Sequence, residues 1–362
     1  MPCRDLLFVS AGLDLDGGGR AAVGRLLAAA CAEHARSRAL GFEVLALGRS
    51  GGPEGTLYFG ADQRALALRL WRRQWQRRDI ALAYDLLGPA RLQAYLPASV
   101  RAPYLITLHG LEVWRRLGWD RRRALAGAAV RFAVSRTTLE RARPFCPGIA
   151  VDSTPVVPLA LEERTPQGAV DAPLLQRLGR GFLLIVGRMA SGERYKGHDQ
   201  VLEALAHLPD ARLVVTGDGD DRPRLAARAA DLGLAHRVVF TGFVSEATLA
   251  ELYRRCAVFV MPSLGEGFGL VYLEAMRAGK PCVAARGSAA EEVLADGETG
   301  LLVRQDEMEL ARALRTLLAS PEAARRMGEA GHRRWRAVFG ADRFQARLMP
   351  LLDLLTGIRT GG

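Results

Sequence analysis

Apolar residues along this chain fall in short runs of three to six, separated by longer stretches in which apolar and polar positions alternate with a helical rhythm. In the first half such runs lie at 6–10, 42–47, 80–84, 104–109 and 130–135. In the second they lie at 182–187, 212–216, 238–241, 257–261, 281–285 and 301–303. Runs this short, rich in Val, Ile, Leu and Phe, read as buried strands. Helix signals stand between them. Asp221-Arg-Pro-Arg224 opens a helix with Pro near its first position and Gly233 ends it, while Gly279 closes another and Pro281 follows. Strands alternating with helices predict parallel sheets joined by crossover helices. The rhythm lapses over 155–173, where Thr154-Pro-Val-Val-Pro158 and Thr165-Pro-Gln-Gly168 read as a linker. The expectation is an α/β chain of two doubly wound, Rossmann-like domains, 1–160 and 161–340, with a helical tail from 341. Ligands would sit between them, at the carboxyl ends of the strands.

The most informative segment is Pro262-Ser-Leu-Gly-Glu-Gly-Phe-Gly-Leu-Val-Tyr-Leu-Glu-Ala-Met276. A strand leads into a glycine-rich turn carrying Glu266, and the helix that follows carries Glu274, eight positions on. Gly267 and Gly269 would leave backbone N–H groups near the start of that helix, which attracts anions. A carboxylate beside an anion site fits a ligand that joins phosphates to an uncharged polyol, such as a sugar linked to a diphosphate. By themselves the two acids could equally be a helix cap and a half-exposed helix residue.

Three further elements follow predicted strands. Gly187-Arg188 is followed by Lys196-Gly197, and an Arg fork and a compact Lys charge suit phosphate oxygens. A pair of loop cations is also, ordinarily, just solvated. Gly17-Gly-Gly-Arg20 follows the first strand and offers close backbone approach through Gly18 and Gly19. It departs from Gly-x-Gly-x-x-Gly at Ala22, so a plain turn is the alternative. His109 stands at the end of a buried strand in Thr107-Leu-His-Gly-Leu-Glu112, where a lone His is commonly structural. Asp85 and Glu112 are further acidic candidates.

Glu-x7-Glu with Gly-Phe-Gly after the first Glu, preceded by Gly-Arg-x7-Lys-Gly, resembles the retaining glycosyltransferases of family 4, which have the GT-B fold. The resemblance implies that Glu266 holds the hydroxyls of the donor sugar and Glu274 the ribose. Gly267, Phe268, Gly269 and Leu270 would line the donor site, with Arg188 and Lys196 on the diphosphate. His109 would face the sugar, Gly18 and Gly19 would touch phosphate and acceptor, and Gly217 and Val244 would contact the nucleotide. It implies catalysis by His109, Glu266, Arg188 and Lys196 without metal or cofactor, and a final helix, 341–362, packing back on the first domain. One departure is Pro158-Leu-Ala-Leu161, where many relatives carry Asn-Gly.

Retention through a covalent glycosyl-enzyme needs two carboxyls about 5–5.5 Å apart, and no such pair can be assigned. The expected reaction is therefore transfer of a sugar from a UDP- or GDP-linked donor, the departing phosphate accepting the proton of the incoming hydroxyl. A nucleotide-sugar epimerase and a non-catalytic nucleotide-sugar-binding relative are the alternatives.

Composition refines this. The five cysteines are scattered, without Cys-x-x-Cys, which argues against a disulfide framework or a zinc site. No run approaches the roughly 20 apolar residues of a bilayer span, and the first residues lack a signal-peptide pattern, so a cytoplasmic protein is expected. Neither Asp14-Leu-Asp16 nor Asp218-Gly-Asp220 reads as a metal site, and no nucleic-acid-binding motif accompanies the pI near 10. Positive charge is uneven: 1–160 hold 23 arginines against 13 acidic residues, the rest 27 basic against 26 acidic. Two clusters, Arg69-Leu-Trp-Arg-Arg-Gln-Trp-Gln-Arg-Arg78 and Trp114-Arg-Arg-Leu-Gly-Trp-Asp-Arg-Arg-Arg123, mix Arg with Trp. That mixture suits an anionic membrane surface and a lipid-linked or other glycan acceptor; the alternative is a solvated helix whose tryptophans pack inward.

Overall fold

The computed structural model describes residues 3–14, 18–146, 153–161 and 165–358. They form two compact units, Met1–Glu162 with Ala341–Gly362, and Glu163–Gly340.

In the first unit the strands are β1 (Asp5–Ser10), β2 (Gly41–Ala46), β3 (Leu57–Tyr58), β4 (Ile80–Tyr84), β5 (Tyr104–Leu108) and β6 (Val130–Ala133). They form one sheet in the order β3-β2-β1-β4-β5-β6, every pair parallel. β1, β4, β5 and β6 are almost wholly buried, as expected of a sheet covered on both faces, whereas the start of β2 and the edge strand β3 are partly open. The chain proceeds outward from β1 to β3, then returns to β4 on the other side of β1. The strand order therefore reverses between β1 and β4, where such sheets bind ligands. The helix Ala341–Thr356 belongs to this unit. It buries Phe344, Leu348, Leu352 and Leu355 at three- and four-residue spacing and packs on the helix Gly18–Ser37. Asp353 receives two hydrogen bonds from Arg38, at 2.9 and 3.0 Å.

The second unit repeats the plan with β7 (Leu183–Val186), β8 (Leu213–Thr216), β9 (Val238–Gly242), β10 (Val258–Met261), β11 (Cys282–Ala285) and β12 (Gly300–Val303). The order is β12-β11-β10-β7-β8-β9, again parallel. Its reversal falls between β7 and β10. The helix Pro321–Phe339 lies close against the end of the helix Leu270–Arg277 because Gly328 allows it. A Cβ there would sit 2.0 Å from the Gly279 carbonyl oxygen.

Two details differ from the sequence reading. β3 was not expected, since two residues carry no periodicity; it extends the sheet edge through Leu45 and Ala46. The stretch read as linker up to 173 ends in a helix, Ala172–Leu178. Pro173 is tolerated in its first turn, where no N–H is needed, and Asp171 caps it by accepting from the Leu174 N–H at 3.0 Å.

Candidate active site

In the second unit, the loops leaving β7 and β10 meet at the strand-order reversal. After β7 come Gly187, Arg188 and a single-turn segment, Ser191–Lys196; after β10 comes the turn bearing Glu266. The two loops are fastened together. The Leu264 N–H donates to the Tyr195 carbonyl at 3.0 Å, and Gln305 donates from one amide to the carbonyls of Tyr195 at 2.8 Å and Pro262 at 2.6 Å. Gly265 rests on the Tyr195 ring, where any Cβ would overlap it. This brings Arg188, Lys196 and Glu266 into one neighbourhood.

The cations are already arranged around an acid that sequence reasoning did not single out. Glu193 accepts from Arg188 and from Lys196, whose Nζ lies 3.1 Å away. Burial opposes ionisation of Glu193, but the hydrogen bonds and charges of Arg188 and Lys196 outweigh it and hold the carboxyl below its ordinary range. Lys196 is recessed and Arg188 open to solvent. The spacing Gly-Arg-x4-Glu-x2-Lys was the available signal for Glu193. It is weak, because any acid between two cations would look the same.

Glu266 is crowded on most sides yet partly open. Burial raises its carboxyl above the usual range, against the charge of Lys196 and the hydroxyl of Ser263, 3.4 Å away. Three residues on, Gly269 adopts φ +95°, and a Cβ there would strike the Tyr272 ring at 2.5 Å. The helix Leu270–Arg277 begins at Gly269 without a side-chain cap. The Phe268 side chain is buried against Phe339, its ring 5.9 Å away, so it shapes the turn from below. Glu274 is engaged differently: it accepts from the Tyr253 hydroxyl at 2.8 Å, and burial raises its carboxyl.

The loop after β8 lies directly on the loop after β7. At Gly217, φ +124°, a Cβ would overlap the Gly187 carbonyl, so a side chain there would force the two loops apart. Asp218 accepts from the Gly219 N–H and from Arg222, and Asp220 from Ser191. Both acids thus serve the loop. Val244, beyond β9, lines a pocket of about 590 Å³ with Phe240, Phe243, Leu174 and Arg177.

In the first unit the residues collect where β1 and β4 part. Asp85, directly after β4, is buried; its carboxylate accepts from the Ser10 hydroxyl at 2.6 Å and from the Ala11 N–H. Burial pushes its pKa up to about 7 in spite of these bonds. The backbone carbonyl of Asp85 lies 2.6 Å from Nε2 of His109. A carbonyl only accepts, so Nε2 carries a proton, and in a neutral ring Nδ1 is left as the acceptor. Glu112 accepts from the His109 backbone N–H at 2.5 Å. Gly18 and Gly19 are the first residues of the helix Gly18–Ser37, and Gly18 has φ +65°. Gly17 and Asp16 lie outside the described residues. Asp14 accepts from the N–H groups of Arg49 and Ser50 at 2.8 Å, and so organises the loop after β2.

The sequence matches the family Glycosyl transferases group 1 over residues 171–334. It is 34% identical over 293 residues, 76% of this chain and 74% of the other, to a GDP-mannose-dependent alpha-(1-6)-phosphatidylinositol monomannoside mannosyltransferase of Mycolicibacterium smegmatis. It is 36% identical over 224 residues, 58% of this chain and 51% of the other, to a D-inositol 3-phosphate glycosyltransferase of Xylanimonas cellulosilytica. Among solved structures, HepE from Anabaena in complex with UDP superposes with a TM-score of 0.76 at 19% identity, covering 96% of this chain and 99% of HepE. Sucrose-phosphate synthase from Thermosynechococcus elongatus gives 0.77 at 20%, covering 98% and 100%. The chain belongs to the group 1 glycosyltransferases, family 4, and has their GT-B fold. It is a glycosyltransferase. Among the described residues no helix is long and apolar enough to cross a membrane.

Proposed function

We propose that this enzyme moves a hexose from a UDP- or GDP-linked donor to a hydroxyl acceptor, with retention and without a metal. The observation that supports it most is the meeting, at the ends of β7 and β10, of Arg188 and Lys196 with the recessed carboxyl of Glu266. In this reading the diphosphate displaces Glu193 from the two cations and extends toward the uncapped start of the helix Leu270–Arg277, which favours anions. Glu266 receives the hydroxyls of the sugar. Glu274 exchanges part of its bond with Tyr253 for the ribose, and Gly217 and Val244 border the nucleotide.

In the reaction the bond from the anomeric carbon to the phosphate oxygen breaks, and its electron pair stays on that oxygen. Arg188 and Lys196 stabilise the charge that develops there. The acceptor oxygen bonds to the anomeric carbon on the same face, and its proton passes to the departing phosphate. His109, its Nε2 tied to the Asp85 carbonyl, offers Nδ1 to a sugar hydroxyl, and Gly18 and Gly19 let the backbone approach phosphate and acceptor. The acceptor is a lipid-linked or cell-surface glycan precursor, a reading supported by the mannosyltransferase relative, whose name specifies a phosphatidylinositol monomannoside.

The test is incubation with UDP- and GDP-sugars and extracted membrane lipids in EDTA, with the product linkage read by proton NMR. A product of the donor's own anomeric configuration is expected. An inverted linkage, or turnover that appears only after a divalent metal is added, would overturn the proposal.

A further inference from the structure

The first unit carries a surface that the transfer reaction does not use. Along the helix Gln63–Gln76, Leu66, Ala67, Leu70 and Gln74 face the core. On the outer side Arg64, Leu68, Arg72 and Trp75 follow one another at spacings of four, four and three, so they form one stripe. Leu68 is 65% and Trp75 60% exposed. Beside the stripe Trp71 is held half-buried, its indole N–H donating to the Leu92 carbonyl at 3.2 Å. Its ring stands 6.5 Å from that of Tyr95, which stands 5.5 Å from that of Trp119. Tyr95 and Trp119 are both more than half exposed. An apolar ridge thus runs from the helix to the end of the loop that leaves His109.

The charge on this surface is one-sided. On the other flank of the same helix, Arg69 and Arg73 pair with Glu43. By contrast Arg64 and Arg72 on the stripe, and Arg122 one turn on from Trp119, have no acidic partner among the described residues, although all three are exposed. The nearby acids are spent on backbone: Asp62 accepts from the N–H groups of Arg64 and Ala65, Asp120 from that of Arg121.

Exposed Leu and Trp are costly in water, and unpaired arginines beside them await anions. Trp and Tyr rings favour the boundary between headgroups and acyl chains, and Arg reaches phosphate from the same depth. Nucleic acid would meet the arginines and the rings, but Leu68 has no π-face on which a base could stack. We infer that the ridge Leu68–Trp75–Tyr95–Trp119, flanked by these arginines, docks the first unit on an anionic phospholipid bilayer. Binding needs no donor or acceptor, so it stands or falls apart from the transfer reaction.

The test is flotation of the purified chain with vesicles of phosphatidylcholine, alone or mixed with phosphatidylglycerol. The wild-type chain rises with the mixed vesicles at low salt, releases at high salt, and stays below with phosphatidylcholine alone. An exposed Arg near an anionic surface is worth about fivefold in partition, so Arg64→Ala with Arg72→Ala lowers it about thirtyfold. Leu68→Ser with Trp75→Ser lowers it at least about tenfold. All four positions are at the surface, and unchanged melting of the variants establishes that they fold. A wild-type chain that remains below the mixed vesicles at low salt, or variants that float as well as wild type, would overturn the inference. Retention of an oligonucleotide in place of vesicles would reassign the surface to nucleic acid.

Discussion

Replacement of Lys196 by alanine probes the electrostatics of the proposed donor site most sharply. Two unit charges at about 4 Å, at the effective dielectric near a protein surface, interact by about 4 kcal/mol. A phosphate oxygen in contact with Nζ stands to gain up to that amount, less what Lys196 already receives from Glu193 at 3.1 Å. The net expected loss is about 2–4 kcal/mol of transition-state stabilisation, roughly thirty- to a thousandfold in kcat. Part of the loss has a second origin. Without Lys196, Glu193 retains only Arg188 and presents negative charge to the incoming phosphates. Glu193→Gln in the Lys196→Ala background removes that repulsion and should restore about tenfold, an interaction that a double-mutant cycle isolates. The assay is release of nucleoside diphosphate by a coupled optical method, with melting curves to verify the fold. A Lys196→Ala enzyme within about threefold of wild type would refute the assignment of this charge to the leaving group. Absence of any rescue by Glu193→Gln would refute the displacement of that acid by substrate.

Three other outcomes are expected. Glu266→Ala lowers kcat at least about a hundredfold while melting is unchanged, because the sugar loses the carboxyl proposed to hold its hydroxyls; near-normal turnover would remove Glu266 from the site. For Asp85 the folded pKa, up to about 7 through burial, exceeds the ordinary carboxyl value, so the folded chain binds that proton more tightly. Its stabilisation is present below about pH 4 and is lost as pH rises through about 7. The melting temperature of wild type relative to Asp85→Asn should therefore fall from pH 5 to pH 8, and a constant difference would contradict the burial argument. Gly328→Ala would ordinarily favour a helix by about 1 kcal/mol, but here the new methyl meets the Gly279 carbonyl oxygen at 2.0 Å. Overpacking of about 1–3 kcal/mol should prevail and lower the melting temperature; a rise would show that the helix Pro321–Phe339 can move away.

The central strands were legible because they are buried on both faces, so β1, β4, β5, β7, β8, β10 and β11 read as nearly unbroken apolar runs. Their ends were read about one residue long, as at His109 and Gly187, where the candidate residues stand just past the last paired position. β3 was illegible, since two residues cannot display a period. At the candidate site, residues within dense local motifs, such as Glu266 in its glycine turn, could be nominated from sequence. Glu193, Tyr195 and Gln305 could not. Their part depends on contacts between loops far apart along the chain, such as Gln305 reaching Pro262, and nothing local encodes those. The aromatic clusters were ambiguous for a related reason: indole exposure depends on what packs beside it. Trp71 and Trp114 are half-buried with their N–H groups bonded, whereas Trp75 and Trp119 face solvent.

The central claim, that Arg188, Lys196 and Glu266 form a metal-free site for a nucleoside diphosphate sugar, is tested most directly by titration calorimetry. UDP and GDP are titrated separately into the purified chain in EDTA, with Lys196→Ala as the control. One of the two should bind in a single saturable step, at least about tenfold more weakly in the variant. Binding of neither in EDTA, or equal binding by wild type and Lys196→Ala, would contradict the account.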